Sequence, residues 1–234
     1  MDQVQELLGL RSSPVAVAFL DKAPSGVEKW DAGAVPSGCT FWRYAMDGET
    51  FYTEAGDHYN CAVGSYTHGI PLPPERAKEL EETVGFMVSS GYIEIKEVPG
   101  IPVLPAPPKV VAYGPVGGTP FAADVVLVSG PPAAVMLLYE ASLRAGAGNA
   151  MAATMGRPGC AALPAAKSLG MAVLSFGCRG NRTFVGLPEH EMYFVVPANK
   201  WSAVSESLRV ILRANEAMGA HYDGKKQHFP ILRQ

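Results

Sequence analysis

The run Val15–Leu20, with the sequence VAVAFL, is apolar at every position and follows a break at Ser13-Pro14. An uninterrupted apolar run of this length is typical of a strand buried on both faces. Similar short runs recur at residues 110–113 and 124–128, and helices with one apolar face lie between such runs, as after Pro73-Pro74. This alternation predicts an α/β or α+β fold.

The layout of the chain predicts one domain over residues 1–234, built from two similar strand-helix halves with a central cleft. The halves cover about residues 4–97 and 109–219, and each ends with an amphipathic helix that proline opens and glycine closes. Five prolines make the connector 98–108 extended and stiff. An offset of 99 residues pairs Cys61 with Cys160, although repeated strand-helix order is common without duplication.

Composition limits the classes of protein to which the chain can belong. Of its 234 residues, 48% are hydrophobic and 18% are charged, which is ordinary for a folded protein and excludes general disorder. A net charge of -3 gives no sign of a nucleic-acid partner. The first residues lack a secretory signal, and no apolar run is long enough to cross a membrane. We therefore expect a cytoplasmic protein with no membrane partner.

The four cysteines carry the strongest chemical signal in the chain. Cys160 lies in RPGCAALP, residues 157–164, and Cys178 in SFGCRGNR, residues 175–182, while Cys39 and Cys61 form an earlier pair in a similar setting. Thiols stay reduced in the cytoplasm, so they are first candidates for metal ligands. A preceding glycine leaves room for a bulky cluster, and Arg179 and Arg182 offer positive charge as cofactor contacts.

This pattern favours an iron-sulfur cluster, above all 4Fe-4S, held by all four cysteines or by three with one iron open. Zinc is a weaker alternative, because structural zinc sites usually use close pairs and no two cysteines here lie nearer than 18 residues. A redox-active or nucleophilic thiol is another alternative. A third is that the cysteines are simply buried small residues in a non-catalytic module that binds a small ligand or a partner.

Four further residues are weighed as site candidates. His58 could pair with Cys61 as a catalytic dyad, although its turn-like surroundings favour a solvated histidine. Arg182 could bind an anion in catalysis, although the adjacent Gly180-Asn181 is typical of a tight turn. Trp42 and Arg43 follow Cys39 and could line a cofactor pocket, or could form a half-buried helix face.

The order of several motifs resembles the uncharacterised ArCR (archaeal cysteine-rich) family, a domain of unknown function, over about residues 4–215. The motifs are Leu7–Leu10 with Ser13–Val17, Cys39 with Ala45 and Gly48, Cys61 with Gly64, Ala123–Val128 with Gly130-Pro131, the Cys160 turn, Gly177–Arg182, and Glu191-Met192 before a strand that ends in Pro197. Relatives often carry Cys-Pro-Gly-Gly at the Cys61 turn, and some lack Cys178. The resemblance thus implies Cys39, Cys61 and Cys160 as a core set with Cys178 optional, and implies no activity.

The functional expectation is an iron-sulfur-cluster-binding protein that acts as a redox or small-molecule-transforming enzyme. Three thiolates would leave an iron open to bind a substrate as a Lewis acid, whereas four would only pass electrons. The expected partner is accordingly a small-molecule substrate or an electron-transfer protein. The sequence leaves open whether the chain is an enzyme and what its oligomeric state is, and it is compatible with a homodimer.

Overall fold

The computed structural model describes residues 2–149, 153–155 and 157–226. Its strands form one eight-stranded sheet in the order β2-β3-β4-β1-β5-β8-β7-β6. The strands are β1 Val15–Leu20, β2 Glu28–Lys29, β3 Phe51–Glu54, β4 Val110–Pro115, β5 Val125–Gly130, β6 Ala153–Met155, β7 Val173–Ser175 and β8 Met192–Pro197. The mixed α/β class predicted from the sequence is confirmed.

The helices are α1 Gln3–Leu8, α2 Thr40–Met46, α3 Ala62–Thr67, α4 Pro74–Ser89, α5 Pro132–Arg144, α6 Ala162–Leu169 and α7 Trp201–Lys226. Asp2 caps α1 by accepting a hydrogen bond from the Val4 amide at 2.8 Å, and Gly9 ends this helix in the left-handed conformation. Within the described ranges, no helix combines the length and apolar character needed to span a membrane.

The centre of the sheet is the predicted buried strand β1. It pairs antiparallel with β4 along its whole length, from Val15 opposite Pro115 to Leu20 opposite Val110, and antiparallel with β5 on its other edge. Parallel pairs occur only towards the two edges of the described sheet, between β2 and β3 and between β6 and β7. β1 thus joins the strands β2, β3 and β4 on one side to the strands β5, β8, β7 and β6 on the other.

Strand order repeats on the two sides of the sheet. One side reads β2-β3-β4-β1 and the other, from its own edge, β6-β7-β8-β5. Along the chain, Cys39 lies between β2 and β3, and Cys160 lies between the equivalent strands β6 and β7. Cys61 lies between β3 and β4, and Cys178 between the equivalent strands β7 and β8. Strand order therefore matches Cys160 with Cys39, whereas the 99-residue offset matched it with Cys61. Symmetry beyond strand order and a central cleft stay predictions.

Each face of the sheet carries its own apolar cluster. α2 and α6 cover one face, where Phe41, Trp42 and Leu163 pack on side chains of the central strands. α1, α5 and α7 cover the other face, with Val4, Leu138 and Leu208 at its centre. The result is a layered domain in which Cys39 and Cys160, directly before the helices of the first face, adjoin that face's core.

Several element boundaries differ from those predicted. α7 continues through Gly219 to Lys226, so this glycine does not end the helix. Pro164 lies in the first turn of α6, where no intrahelical amide bond is needed, so the helix continues through it. The connector begins within a 3-10 helix, Ile95–Gly100, and leads into β4, which pairs with β1 and β3. The sheet thus places β4 with the elements that precede the connector.

Candidate functional site

All four cysteines line one cavity of about 1020 Å³. Its walls are formed by α3, α4, the turn that follows α4, and the two turns that carry Cys160 and Cys178. All four are free thiols. The structure therefore brings together the complete set of sulfur ligands predicted from the sequence, although each comes from a different turn of the chain.

One hydroxyl connects the first two cysteines. Ser37 Oγ lies 3.0 Å from Cys39 Sγ and 3.5 Å from Cys61 Sγ, so the two sulfurs share a polar neighbour. Cys61 Sγ also accepts a hydrogen bond from the Gly64 amide at 3.3 Å. A Cβ on Gly64 would lie only 2.8 Å from this sulfur, so the turn requires glycine here. These contacts fix two sulfurs at the start of α2 and α3.

Polar side chains also contact the turns of the other two cysteines. Thr67 Oγ1, at the end of α3, donates to Cys160 Sγ at 3.4 Å. Asn181 Oδ1 accepts from the Cys178 amide at 2.9 Å and so holds this turn. Thr67 thus connects helix α3, which follows Cys61, with the Cys160 turn of the other set of strands.

The glycines before Cys39 and Cys160 let neighbouring turns approach closely. A Cβ on Gly38 would lie 3.3 Å from His58 Nδ1 and 3.9 Å from Cys61 Cβ. A Cβ on Gly159 would lie 2.0 Å from Asn181 Oδ1 and 3.2 Å from the Cys178 amide nitrogen. The glycine before Cys39 thus packs against the Cys61 turn, and the glycine before Cys160 packs against the Cys178 turn. Close contact between turns therefore explains why these positions are glycine. The sequence predicted a different reason, namely room for a cluster.

Burial and mutual proximity raise the pKa of two of the thiols. The pKa of Cys39 is raised to about 12, chiefly by burial and then by the charges of Cys61 and Cys178, while the Ser37 hydrogen bond opposes the change. The pKa of Cys160 is raised well above its usual value, again by burial first and then by Cys61. At neutral pH both thiols therefore keep their protons unless a cation replaces them.

Two buried tyrosines lie near Cys39 on equivalent strands, and the sequence prediction missed both. The hydroxyls of Tyr113 on β4 and Tyr193 on β8 have no hydrogen-bond partner within the described ranges. Burial raises the pKa of both phenols, and the nearby Cys39 raises each further. The Asn181 Nδ2 donor is also buried without a partner. These donors could not be predicted from the sequence, because the position of a residue within a strand does not show which face of the sheet meets a site.

The other predicted site residues are divided between the cavity and its surroundings. Arg179 lines the cavity. Arg182 does not; its guanidinium donates to the carbonyls of Pro188 at 2.6 Å and Phe176 at 2.9 Å and holds their turn together. Trp42 is fully buried against the Tyr193 ring, and Arg43 forms an exposed ion pair with Asp47 at 2.7 Å. The structure does not bring Arg182, Trp42 or Arg43 to the cavity wall.

His58 is buried, contrary to the expectation of a solvated turn. Its Nε2 lies 2.8 Å from Thr53 Oγ1, and burial together with the adjacent His68 lowers its pKa to about 3. His68 is also buried, 5.7 Å from His58 between ring centroids, and its pKa is lowered to about 4 by burial. Both rings are neutral at pH 7, so His58 provides no imidazolium for Cys61.

The two buried histidines predict a loss of stability in acid. Both titrate near 6.5 when exposed, so between pH 6.5 and 4 the unfolded chain binds more protons than the folded chain, and the free energy of unfolding falls as pH falls. At pH 5 each histidine lowers the free energy of unfolding by about 2 kcal/mol relative to its value at pH 7. His68→Gln should remove about 2 kcal/mol of the stability difference between pH 7 and pH 5, measured by urea unfolding.

The control for this measurement is His221→Gln, because His221 is exposed on α7. This variant should show the same pH dependence as the unchanged chain. If His68→Gln also leaves the pH dependence as it was, burial does not hold the His68 ring neutral.

Comparison with known proteins places the chain in a family but assigns it no activity. No curated protein and no solved structure gives a match. The model of the family described as DUF169, Uncharacterised ArCR, matches residues 3–207 and so covers every cysteine turn and all eight strands. The chain belongs to the uncharacterised ArCR family, as its motifs predicted.

Proposed function

We propose that Cys39, Cys61, Cys160 and Cys178 bind an iron-sulfur cluster, 4Fe-4S in type, and that the protein uses it to transform a small molecule. The observation that carries this proposal is the presence of all four thiols, from four separate turns, on the wall of one cavity. Thiolates are the usual protein ligands of such clusters.

A single zinc ion and a cluster of several irons require different spacings of their ligands. Within the described part of the chain, no group of three or more His, Cys, Asp or Glu side chains is placed to hold a single metal ion. Sulfurs around one tetrahedral zinc all lie at about 2.3 Å from the metal and therefore touch one another. A cluster of several irons is larger, so its ligands stand further apart and fit turns that meet around a cavity.

Buried donors near the thiols supply a second argument. Tyr113, Tyr193 and Asn181 each bury a donor without a partner close to the cysteines, which costs free energy unless an acceptor is present. The inorganic sulfides and thiolates of a cluster are acceptors of this kind, and such hydrogen bonds tune its reduction potential. These three side chains would then complete the surroundings of the cluster.

The two alternatives explain less of the site. A nucleophilic or redox-active thiol needs a lowered pKa, whereas the pKa values of Cys39 and Cys160 are raised. A non-catalytic module with buried cysteines explains the cavity, but it does not explain why all four thiols line it. Because the cavity adjoins the thiols, we favour substrate chemistry over electron transfer alone, with Cys178 as the ligand that a substrate could replace.

The expected setting follows from the thiols. All four are free, so we propose that the protein works in the reducing cytoplasm. Its partners would be a small-molecule substrate and a protein that supplies electrons when the cluster is redox-active, with no role for nucleic acid or membrane.

Metal analysis of protein purified without oxygen tests this proposal. We expect about four iron and about four acid-labile sulfide per chain, and little zinc. About one zinc per chain would support the zinc alternative. Protein that holds no metal even after anaerobic reconstitution with iron and sulfide would overturn the proposal.

The variant Cys178→Ser then tests the number of ligands. Retention of most of the iron would support three cysteine ligands and one open iron, whereas loss of the cluster would show that all four cysteines are required. Gly180→Ala is the matched control, because its added Cβ would lie 3.6 Å from Cys178 Sγ, an ordinary contact that leaves the thiol in place.

A further inference from the structure

Helix α4 lies over the cavity with an apolar stripe that the protein itself does not cover. The stripe is formed by Leu80, Val84, Met87 and Val88, which all line the cavity. None of the 16 residues of this helix is buried. An amphipathic helix normally gains its stability by burying such a stripe against the core. The stripe of α4 therefore faces space that a ligand could fill.

We propose that this cavity binds a largely apolar small molecule that carries one acidic group, with its body against α4 and its acidic group beside Arg179. This inference names the substrate class of the proposed cluster site, and it rests on the proposed function only for the reaction that follows binding. The cavity, at about 1020 Å³, reaches the upper end of the range typical of small-molecule sites.

Side chains at the rim of the cavity extend its apolar surface. Phe86, Ile95 and Phe184 line it and are strongly exposed, with 73%, 65% and 44% of their surface open to solvent. Large exposed apolar side chains that gather around one opening are a mark of a binding site. A bound apolar molecule would cover part of each of them.

The charges of the lining favour an acidic group at one end. Arg157 pairs with Glu97 at 3.9 Å and lies over the Tyr92 ring, and Glu79 pairs with Arg76 at 2.7 Å. In the described ranges, Arg179 forms no ion pair, while its amide donates to the Tyr92 hydroxyl at 3.2 Å and so fixes its backbone. Glu81, the other lining charge, is exposed on α4. Arg179 directly follows Cys178, so its backbone lies at the cysteine end of the cavity that it lines.

Two dyes of similar shape test the proposal, because one is anionic and the other neutral. These are 8-anilinonaphthalene-1-sulfonate and N-phenyl-1-naphthylamine, and their binding to anaerobically purified protein is measured by equilibrium dialysis. We expect one site per chain for each dye. Val84→Trp places a large ring in the cavity against α4 and should weaken both dyes about tenfold or more, whereas Glu82→Trp, on the exposed face of α4, should change either Kd by less than about twofold.

Arg179→Gln tests the acidic group separately. It should weaken the sulfonate about fivefold and leave the neutral dye unchanged, because only the sulfonate gains a charge-assisted hydrogen bond. Equal binding by Val84→Trp and the unchanged protein would overturn the site, and equal loss of both dyes in Arg179→Gln would overturn the acidic group. Iron content is measured on the same samples, so dye binding without iron would reject the cluster and keep the cavity.

Discussion

Replacing Cys39 or Cys160 with serine is expected to reduce bound iron from about four per chain to less than one. Both sulfurs line the cavity and adjoin the buried core, and each is held by a hydroxyl neighbour, Ser37 or Thr67. A serine hydroxyl is a harder and weaker ligand for iron than a thiolate. The measurement is iron and acid-labile sulfide per chain in anaerobically purified protein, with circular dichroism as the check on folding.

Ala62→Ser is the matched control for these serine variants. Ala62 also lines the cavity, directly after Cys61, so the change adds a hydroxyl without removing a sulfur. It should keep the iron content of the unchanged chain. Full iron content in both Cys39→Ser and Cys160→Ser would show that the metal is bound elsewhere.

The second large effect is expected from Gly159→Ala. The added Cβ would lie 2.0 Å from Asn181 Oδ1 and 3.2 Å from the Cys178 amide nitrogen, so Asn181 must move and release the hydrogen bond that holds the Cys178 turn. We expect the free energy of unfolding to fall by about 1–3 kcal/mol, as in other overpacked sites. Iron content should fall with it, because two cysteine turns lose their relative position.

Gly180→Ala provides the comparison for this second variant. Gly180 has helical backbone angles, and its added Cβ would meet only ordinary contacts, so both stability and iron content should stay near those of the unchanged chain. The measurement is urea unfolding with metal analysis of the same samples. A stable Gly159→Ala protein with full iron content would contradict the close packing of the two turns.

Local sequence signals predicted much of the framework. β1 begins and ends where its apolar run indicates, at Val15–Leu20. Gly9 ends α1 in the left-handed backbone conformation that suits glycine, so this helix end has a local sequence signal. Helix α3 was missed, since Asn60 and Gly64 gave its start the look of a turn. Such elements depend on few residues and can be predicted from neighbours in the chain.

The arrangement of the site depends on contacts that the sequence does not show. Cys61 and Cys160 were matched by distance along the chain, but the order of strands matches Cys160 with Cys39. Arg182 follows Cys178 closely, yet its guanidinium is used by the carbonyls of its own turn. The role of Tyr113 depends on which face of β4 it occupies and on what lies there. Long-range packing sets each of these features.

Anomalous diffraction at the iron absorption edge, from crystals of anaerobically purified protein, would locate the proposed cluster. We expect a single compact iron peak in the cavity, within bonding distance of Cys39, Cys61 and Cys160, with Cys178 as the fourth ligand or facing an open iron. Anomalous density remote from these cysteines, or four free thiols around a cavity without iron after reconstitution, would contradict it.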